Sequence, residues 1–215
     1  MERTTLRRVA ASIRLLSVLA ITGSLVAPSV AQAQMAKPAS APKLSPQLDS
    51  VRTLLSKYQD PVAAVRDGYL STLVCVDFPK GAAEGTMQYG PGGMGVHFLN
   101  MGNVGPTLDP AKPQVLIYER DGDKLKLAAA EWFMPANLVK EGAPPPSIFG
   151  QALAGPMEGH APIMSPEMHH YDLHVWLWLT NPSGVFKSTN PAVSCPKTGY
   201  SYSGMPPNMV HEHTN

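Results

Sequence analysis

Three residues of this chain combine reactive side chains with a strand setting: His97, Glu131 and His174. His97 lies in Val96-His97-Phe98-Leu99 and shares a face with Leu99. Glu131 alternates with Leu125, Leu127, Ala129 and Phe133, and His174 alternates with Asp172, Trp176 and Trp178. Successive side chains of a strand point to opposite faces, so all three are expected to turn toward apolar neighbours. A buried carboxylate without a partner costs several kcal/mol, so Glu131 needs a histidine, an arginine or a metal. Two imidazoles and a carboxylate suit zinc or non-haem iron, and imidazole also suits copper. The competing reading is a purely structural domain, in which the same residues form a polar cluster inside the core with no ion. The usual cupin arrangement, His-x-His followed closely by Glu, is absent.

Further ligand types crowd the region before His174. Met157, His160, Met164, Met168, His169 and His170 fall within fourteen residues, and Met205, Met209, His211 and His213 follow near the C-terminus. Thioether and imidazole donors suit copper, soft methionine favouring the cuprous ion. Methionine is equally a flexible filler of cores, and loop histidines are often simply solvated. His160 and His170 join the metal-ligand set as additions to the three strand residues. A different reading needs no metal: Tyr118, Trp132, Trp176 and Trp178 lining an apolar small-molecule pocket. Those aromatics would also make an ordinary core.

Other chemistries lack their motifs. There is no Gly-x-Ser-x-Gly elbow and no Walker or dinucleotide loop. Gly90-Pro91-Gly92-Gly93-Met94-Gly95 is glycine-rich but precedes a strand, so it reads as a sharp turn without a helix N-terminus to hold phosphate. No residue pattern selects a reaction, and whether the chain is an enzyme stays open.

The elements that must position these residues begin with two capped helices. Ser45-Pro46 and Asp60-Pro61 each read as an N-cap followed by proline at the first helical position, and Gly68 stops the second helix. From Tyr69 the pattern turns to strands. Leu73 to Phe78 is the first, with a glycine-rich loop to Gly95 feeding the next from Val96. Asp121-Gly122 between Val115–Glu119 and Leu125–Phe133 is a strong hairpin signal. Tyr171 to Leu179 alternates as a strand buried on both faces. Between them, Pro135 to Pro166 is long and proline-rich, with Pro144-Pro145-Pro146, and reads as an irregular loop or lid carrying His160. The expected fold is mainly β, a small barrel or sandwich with an N-terminal helical appendage.

Gly92-Gly93-Met94-Gly95-Val96-His97-Phe98, Leu116-Ile117-Tyr118-Glu119 with Glu131, and Phe149-Gly150-Gln151 are joined by a longer block. That block runs Tyr171-x-Leu173-His174-Val175-Trp176-x-Trp178-x-x-Asn181-Pro182-x-Gly184-x-Phe186 to Asn190-Pro191-x-Val193-x-Cys195. Together they resemble a family of secreted bacterial proteins without an established activity. The resemblance spans Leu48 to Cys195, and Tyr171 to Cys195 is its most specific part. It implies export and a single domain; it brings no substrate, cofactor or mechanism.

Export is also read directly. Arg3, Arg7, Arg8 and Arg14, the apolar run Leu15 to Val26, and Ala31-Gln32-Ala33 have the order of a cleaved signal peptide over 1–33. A flexible leader over 34–44, one β-rich domain over 45–196 and a flexible tail over 197–215 follow. Cleavage takes four of 17 basic residues and one of 16 acidic ones, leaving 13 and 15. Such a balance offers no footprint for nucleic acid or anionic lipid, so the expected partners are a metal ion or a small molecule. The run is too short to serve as a stable membrane anchor, and nothing in the sequence bears on oligomeric state. In a periplasmic or secreted setting Cys75 and Cys195 are expected to form a disulfide. A thiol ligand or nucleophile is the alternative, without a Cys-x-x-Cys context to favour it. The bridge would close a loop of about 120 residues, worth about 4–5 kcal/mol by chain entropy.

Overall fold

The computed structural model describes residues 42–84, 87–160 and 164–195, together with the backbone of 202–203. The stretch read as a signal peptide, most of that read as leader and nearly all of that read as tail, with Met205, Met209, His211 and His213, lie outside the described residues. Everything described belongs to one unit, Lys37–Asn215.

The caps expected from sequence are formed. Helix α1 (Pro46–Leu54) starts after Ser45, whose hydroxyl accepts from the Leu48 N–H at 3.3 Å. Helix α2 (Pro61–Arg66) starts after Asp60, whose carboxylate accepts from the Val62 N–H at 2.9 Å. Each cap satisfies an amide that the helix itself leaves unpaired. The Tyr118 hydroxyl donates to the Tyr58 carbonyl at 2.6 Å, tying the turn between the helices to the sheet.

The strands are β1 (Leu70–Phe78), β2 (Ala82–Glu84), β3 (Met87–Tyr89), β4 (Gly92–Leu99), β5 (Val115–Asp121), β6 (Lys124–Pro135), β7 (Ser147–Ile148), β8 (Gln151–Ala152), β9 (Ala154–Met157), β10 (His170–Val175) and β11 (Tyr202–Ser203). Among the described residues the principal sheet runs β11-β1-β4-β5-β6-β10-β9. It curls into a half-barrel, and the protein is mainly β. β11, within the stretch read as tail, lies parallel to β1; the other neighbours are antiparallel. The pairs β2–β3 and β7–β8 stand apart as small hairpins.

Two apolar clusters cover opposite faces. Val96, Phe98, Leu116, Tyr118, Leu127, Ala130, Trp132, Leu173 and Val175 belong to the larger, which also takes in Leu48, Val51 and Leu55 from the helical end. Val115, Ile117, Ala128, Ala129, Trp176 and Val193 form the smaller. Alternation on β5 splits Leu116 and Tyr118 from Val115 and Ile117, as a strand buried on both sides requires.

Four sequence expectations change. On β6 the register slips between Ile117↔Ala129 and Tyr118↔Leu127, a bulge at Ala128. One extra residue reverses alternation. Leu125 and Leu127 therefore share the larger cluster with Ala130 and Trp132, while Glu131 faces the other way. The glycine-rich loop is also partly strand, because β4 begins at Gly92. A Cβ at Gly92 would meet the Asn190 carbonyl at 2.4 Å, and one at Gly93 would meet Val193 Cγ1 at 2.6 Å. The glycines admit a neighbouring backbone and do not shape a loop turn. β10 ends at Val175, four residues early: the Trp176 N–H goes to the Val185 carbonyl, and those of Trp178 and Leu179 go to Ala128. Finally, the Pro135–Pro166 segment carries β7, β8 and the edge strand β9, which pairs His170↔Met157 and Asp172↔Ala154.

The disulfide forms between Cys75 and Cys195, with Cα atoms 5.6 Å apart. The Cys195 N–H also donates to the Asp77 carboxylate at 3.0 Å. A structural disulfide fits an oxidising compartment. Among the described residues no helix is long and apolar enough to cross a membrane.

Candidate metal centre

His97 on β4, Glu131 on β6 and His174 on β10 meet on the face of the smaller cluster. Register accounts for this. His174 sits directly opposite Glu131, Val115 lies opposite Glu131 on its other side, and Ile117 opposes both His97 and Ala129. The small Ala129 and the sheet's curl let His97 reach across β5. His97 Nε2 lies 3.7 Å and His174 Nε2 3.4 Å from the same atom, Glu131 Oε2. The three residues can each offer one ligand atom within 4.8 Å of the others. All three are buried, at 5%, 6% and 3% exposure.

These distances can be set against those of a hydrogen-bonded cluster and of a ligand set. Nitrogen–oxygen hydrogen bonds span about 2.7–3.2 Å. Ligands bound to one tetrahedral ion at about 2.0–2.1 Å lie roughly 3.3 Å from each other. The observed 3.4 and 3.7 Å both exceed the first range, and the shorter lies near the second. Consistently, Glu131 Oε2, His97 Nδ1 and both ring nitrogens of His174 are buried without a hydrogen-bond partner. Native interiors rarely leave such atoms unmatched.

Burial sets the protonation of the group. It lowers His97 to about 3, with the nearby His174 charge adding to the effect. Burial likewise lowers His174, against the opposing pull of Asp172. Burial, then the Asp172 charge, raises Glu131 well above the ordinary carboxylate range. Both imidazoles are thus held neutral, the form that ligates metal.

The remaining ligand residues gather beside this trio. His160, His170 and Asp172 can also each offer a ligand atom within 4.8 Å of the others. His160 therefore arrives at His170, their ring centroids 5.2 Å apart. Asp172 was not singled out as a ligand from sequence. The signal was present: His170, Asp172 and His174 alternate on one strand and share a face. Burial works against ionised Asp172, but the imidazoles of His170, His174 and His160 outweigh it and lower its value. His169 lies next to this stripe, half a pleat away, and is exposed.

The aromatic residues do not gather around one cavity. Tyr118 and Trp132 are interior to the larger cluster, and the Trp132 indole donates to the Asp109 carbonyl at 2.9 Å. Trp176 belongs to the smaller cluster, its indole donating to the Lys187 carbonyl at 2.5 Å. Trp178 is half-buried and borders a hollow formed with Arg52, Thr53, Ser56 and Gln59. A cavity of about 380 Å³ instead borders Asp172 and His174, with Ala154, Val185, Phe186 and Lys187 among its walls.

No family model matches this chain, no curated protein matches it, and no solved structure matches its fold. Its function is argued from these residues.

Proposed function

We propose that this protein is an exported, transition-metal-binding domain that holds an ion with His97, Glu131 and His174. The observation carrying this reading is the shared approach of two neutral imidazoles to one carboxylate oxygen at 3.4 and 3.7 Å, too long for hydrogen bonds and suited to a coordination polyhedron. A purely structural polar cluster would instead pair these atoms, and they are unpaired. The donor set is nitrogen and oxygen, and both cysteines are consumed by the disulfide. It therefore suits zinc, copper(II) or iron(II) better than a soft cuprous ion. Three protein ligands leave a coordination position for water or a small molecule.

Export to the periplasm or beyond is part of the same reading. It rests on the signal-like N-terminus, the resemblance to a secreted family and the disulfide. The test is metal analysis of untagged protein recovered from the periplasm, followed by stripping and reloading with Zn²⁺, Cu²⁺ or Fe²⁺. Bound metal that Glu131→Gln abolishes at this trio supports the proposal. A stripped, folded protein that takes up none of the three ions overturns it.

A further inference from the structure

We propose that His160, His170 and Asp172 hold a second divalent cation of the zinc–copper class, distinct from the ion of His97, Glu131 and His174 and linked to it through the Asp172–His174 contact. This second site has its own ligands and stands or falls separately from the first.

The fold assembles it from one strand and one loop. His170 and Asp172 alternate on β10 in the same stripe as His174. β9 pairs with β10 at His170↔Met157, which brings the chain just beyond it, with His160, against His170. His170 is 1% and Asp172 6% exposed, whereas His160 is half-buried. The ion would therefore enter from the His160 side.

The tautomer of His170 is set for ligation. Its Nδ1 lies 3.3 Å from the Met168 carbonyl, which can only accept, so Nδ1 carries the proton. The lone pair is left on Nε2, which faces Asp172 Oδ2 at 3.8 Å. A backbone carbonyl fixing the far nitrogen is the usual way a metal-binding imidazole is oriented. As in the first trio, 3.8 Å is too long for a hydrogen bond and within reach of two ligands on one ion. An all-oxygen calcium or magnesium cage is a poor match for two imidazoles. The Tyr89 hydroxyl stands 3.5 Å from His160 Nε2 and 3.9 Å from the Met157 sulfur, so a thioether lies close behind the ligands.

The link is Asp172. Its Oδ2 faces His170, while its Oδ1 lies 4.0 Å from His174 Nδ1, a buried nitrogen without a hydrogen-bond partner. His174 turns its other nitrogen to Glu131. One carboxylate thus faces the ligands of the second site and, beyond hydrogen-bond reach, stands as a charged neighbour of His174 in the first.

The experiment is a native mass-spectrometric titration of the metal-free, disulfide-intact mature chain with Zn²⁺ alone, repeated with Cu²⁺ by electron paramagnetic resonance. Wild type should take two ions. His160→Ala, at a half-buried loop position, should take one, and Glu131→Gln should also take one. Asp172→Asn should lose the second ion and measurably weaken the first, because it removes a negative charge beside His174. Copper spectra should show two environments in wild type and one in His160→Ala. Retention of the same stoichiometry in His160→Ala and His160→Gln overturns the second site and leaves the first standing. One ion that His160→Ala removes and Glu131→Gln spares overturns the first and leaves the second. Loss of the second ion in Asp172→Asn with the first unaltered in affinity overturns the link.

Discussion

Two groups of buried polar side chains in this protein behave in opposite ways. Around Asn181 and Asn190 every side-chain donor and acceptor finds a backbone partner. Asn181 Nδ2 donates to the Thr189 carbonyl at 2.9 Å and its Oδ1 accepts from the Ser183 N–H at 2.9 Å. Asn190 Nδ2 donates to the Thr180 carbonyl at 3.2 Å and its Oδ1 accepts from the Ala192 N–H at 2.9 Å. Its backbone also exchanges two hydrogen bonds with Gly93. Around Glu131, three equally buried residues face one another with atoms unmatched. The first group is complete in the polypeptide alone and holds the loop after β10 against β4. The second leaves buried atoms that the polypeptide does not match. Asn181, Asn190 and His174 lie in one short stretch of sequence, so a polar residue there is not by itself a sign of a binding site.

The comparison is sharpened most by the ion itself. Zn²⁺ at about 1,000 times its dissociation constant should stabilise the stripped protein by about 4 kcal/mol. Glu131→Gln should abolish the part of that gain due to the first ion, while Asn190→Ala should leave the gain intact. Chemical denaturation with and without zinc measures both. A zinc gain that survives Glu131→Gln together with His160→Ala breaks the distinction between the regions.

Asn190→Ala should cost roughly 1–3 kcal/mol with or without metal, because it removes a fully buried side chain together with its hydrogen bonds to the Thr180 carbonyl and the Ala192 amide. Urea unfolding reads it; a loss under about 0.5 kcal/mol, the scale of a neutral surface change, would show that the asparagine is dispensable.

The same experiment on Glu131 should give the reverse sign. In the metal-free protein Glu131→Gln should stabilise by about 1–3 kcal/mol at neutral pH, since it removes a buried carboxylate with no partner. Glu131 is raised in the fold, so its penalty begins where the unfolded chain deprotonates, near 4.5, and grows with pH. The gain should therefore vanish below that pH. Destabilisation by Glu131→Gln at neutral pH would mean that the protein already satisfies the group.

The last test is the acid limb. His97 is depressed to about 3 from an unfolded value of 6.5. A depressed group contributes stability that is present above its unfolded value and lost as pH falls through its folded one. Metal-free protein should thus lose stability progressively from about pH 6.5 downward, and His97→Gln should flatten that limb. Thermal melts across pH 3 to 7 test the slope; an unchanged slope in the variant removes His97 as its source.

Much of this arrangement was legible before folding was considered. Local rules placed the caps at Ser45 and Asp60, the Asp121-Gly122 turn and the central strands, because each depends on a few neighbouring residues. The disulfide followed from two cysteines and an export signal. The separation of His97, Glu131 and His174 onto strands came from alternation alone. Alternation misled where a bulge intervened: Glu131 was assigned to the face of Leu127, and one extra residue at Ala128 sent it to the other. It also carried β10 past Val175, because Trp176-Leu177-Trp178-Leu179 still alternates while its amides bond elsewhere.

What the sequence by itself determined is the inventory: a β-rich chain, a pair of cysteines that close, and ligand-type side chains on strands. Only the tertiary structure decided which of those side chains share a space. Strand order brought β4 and β10 to either side of the β5–β6 hairpin, and the curl of the sheet carried His97 over β5 to Glu131. Pairing of β9 with β10 likewise brought His160 to His170 and left Asp172 between two sets of ligands. Side-chain parity is a local property of the backbone, written every two residues. Convergence depends on register between strands far apart in sequence, which no local pattern contains.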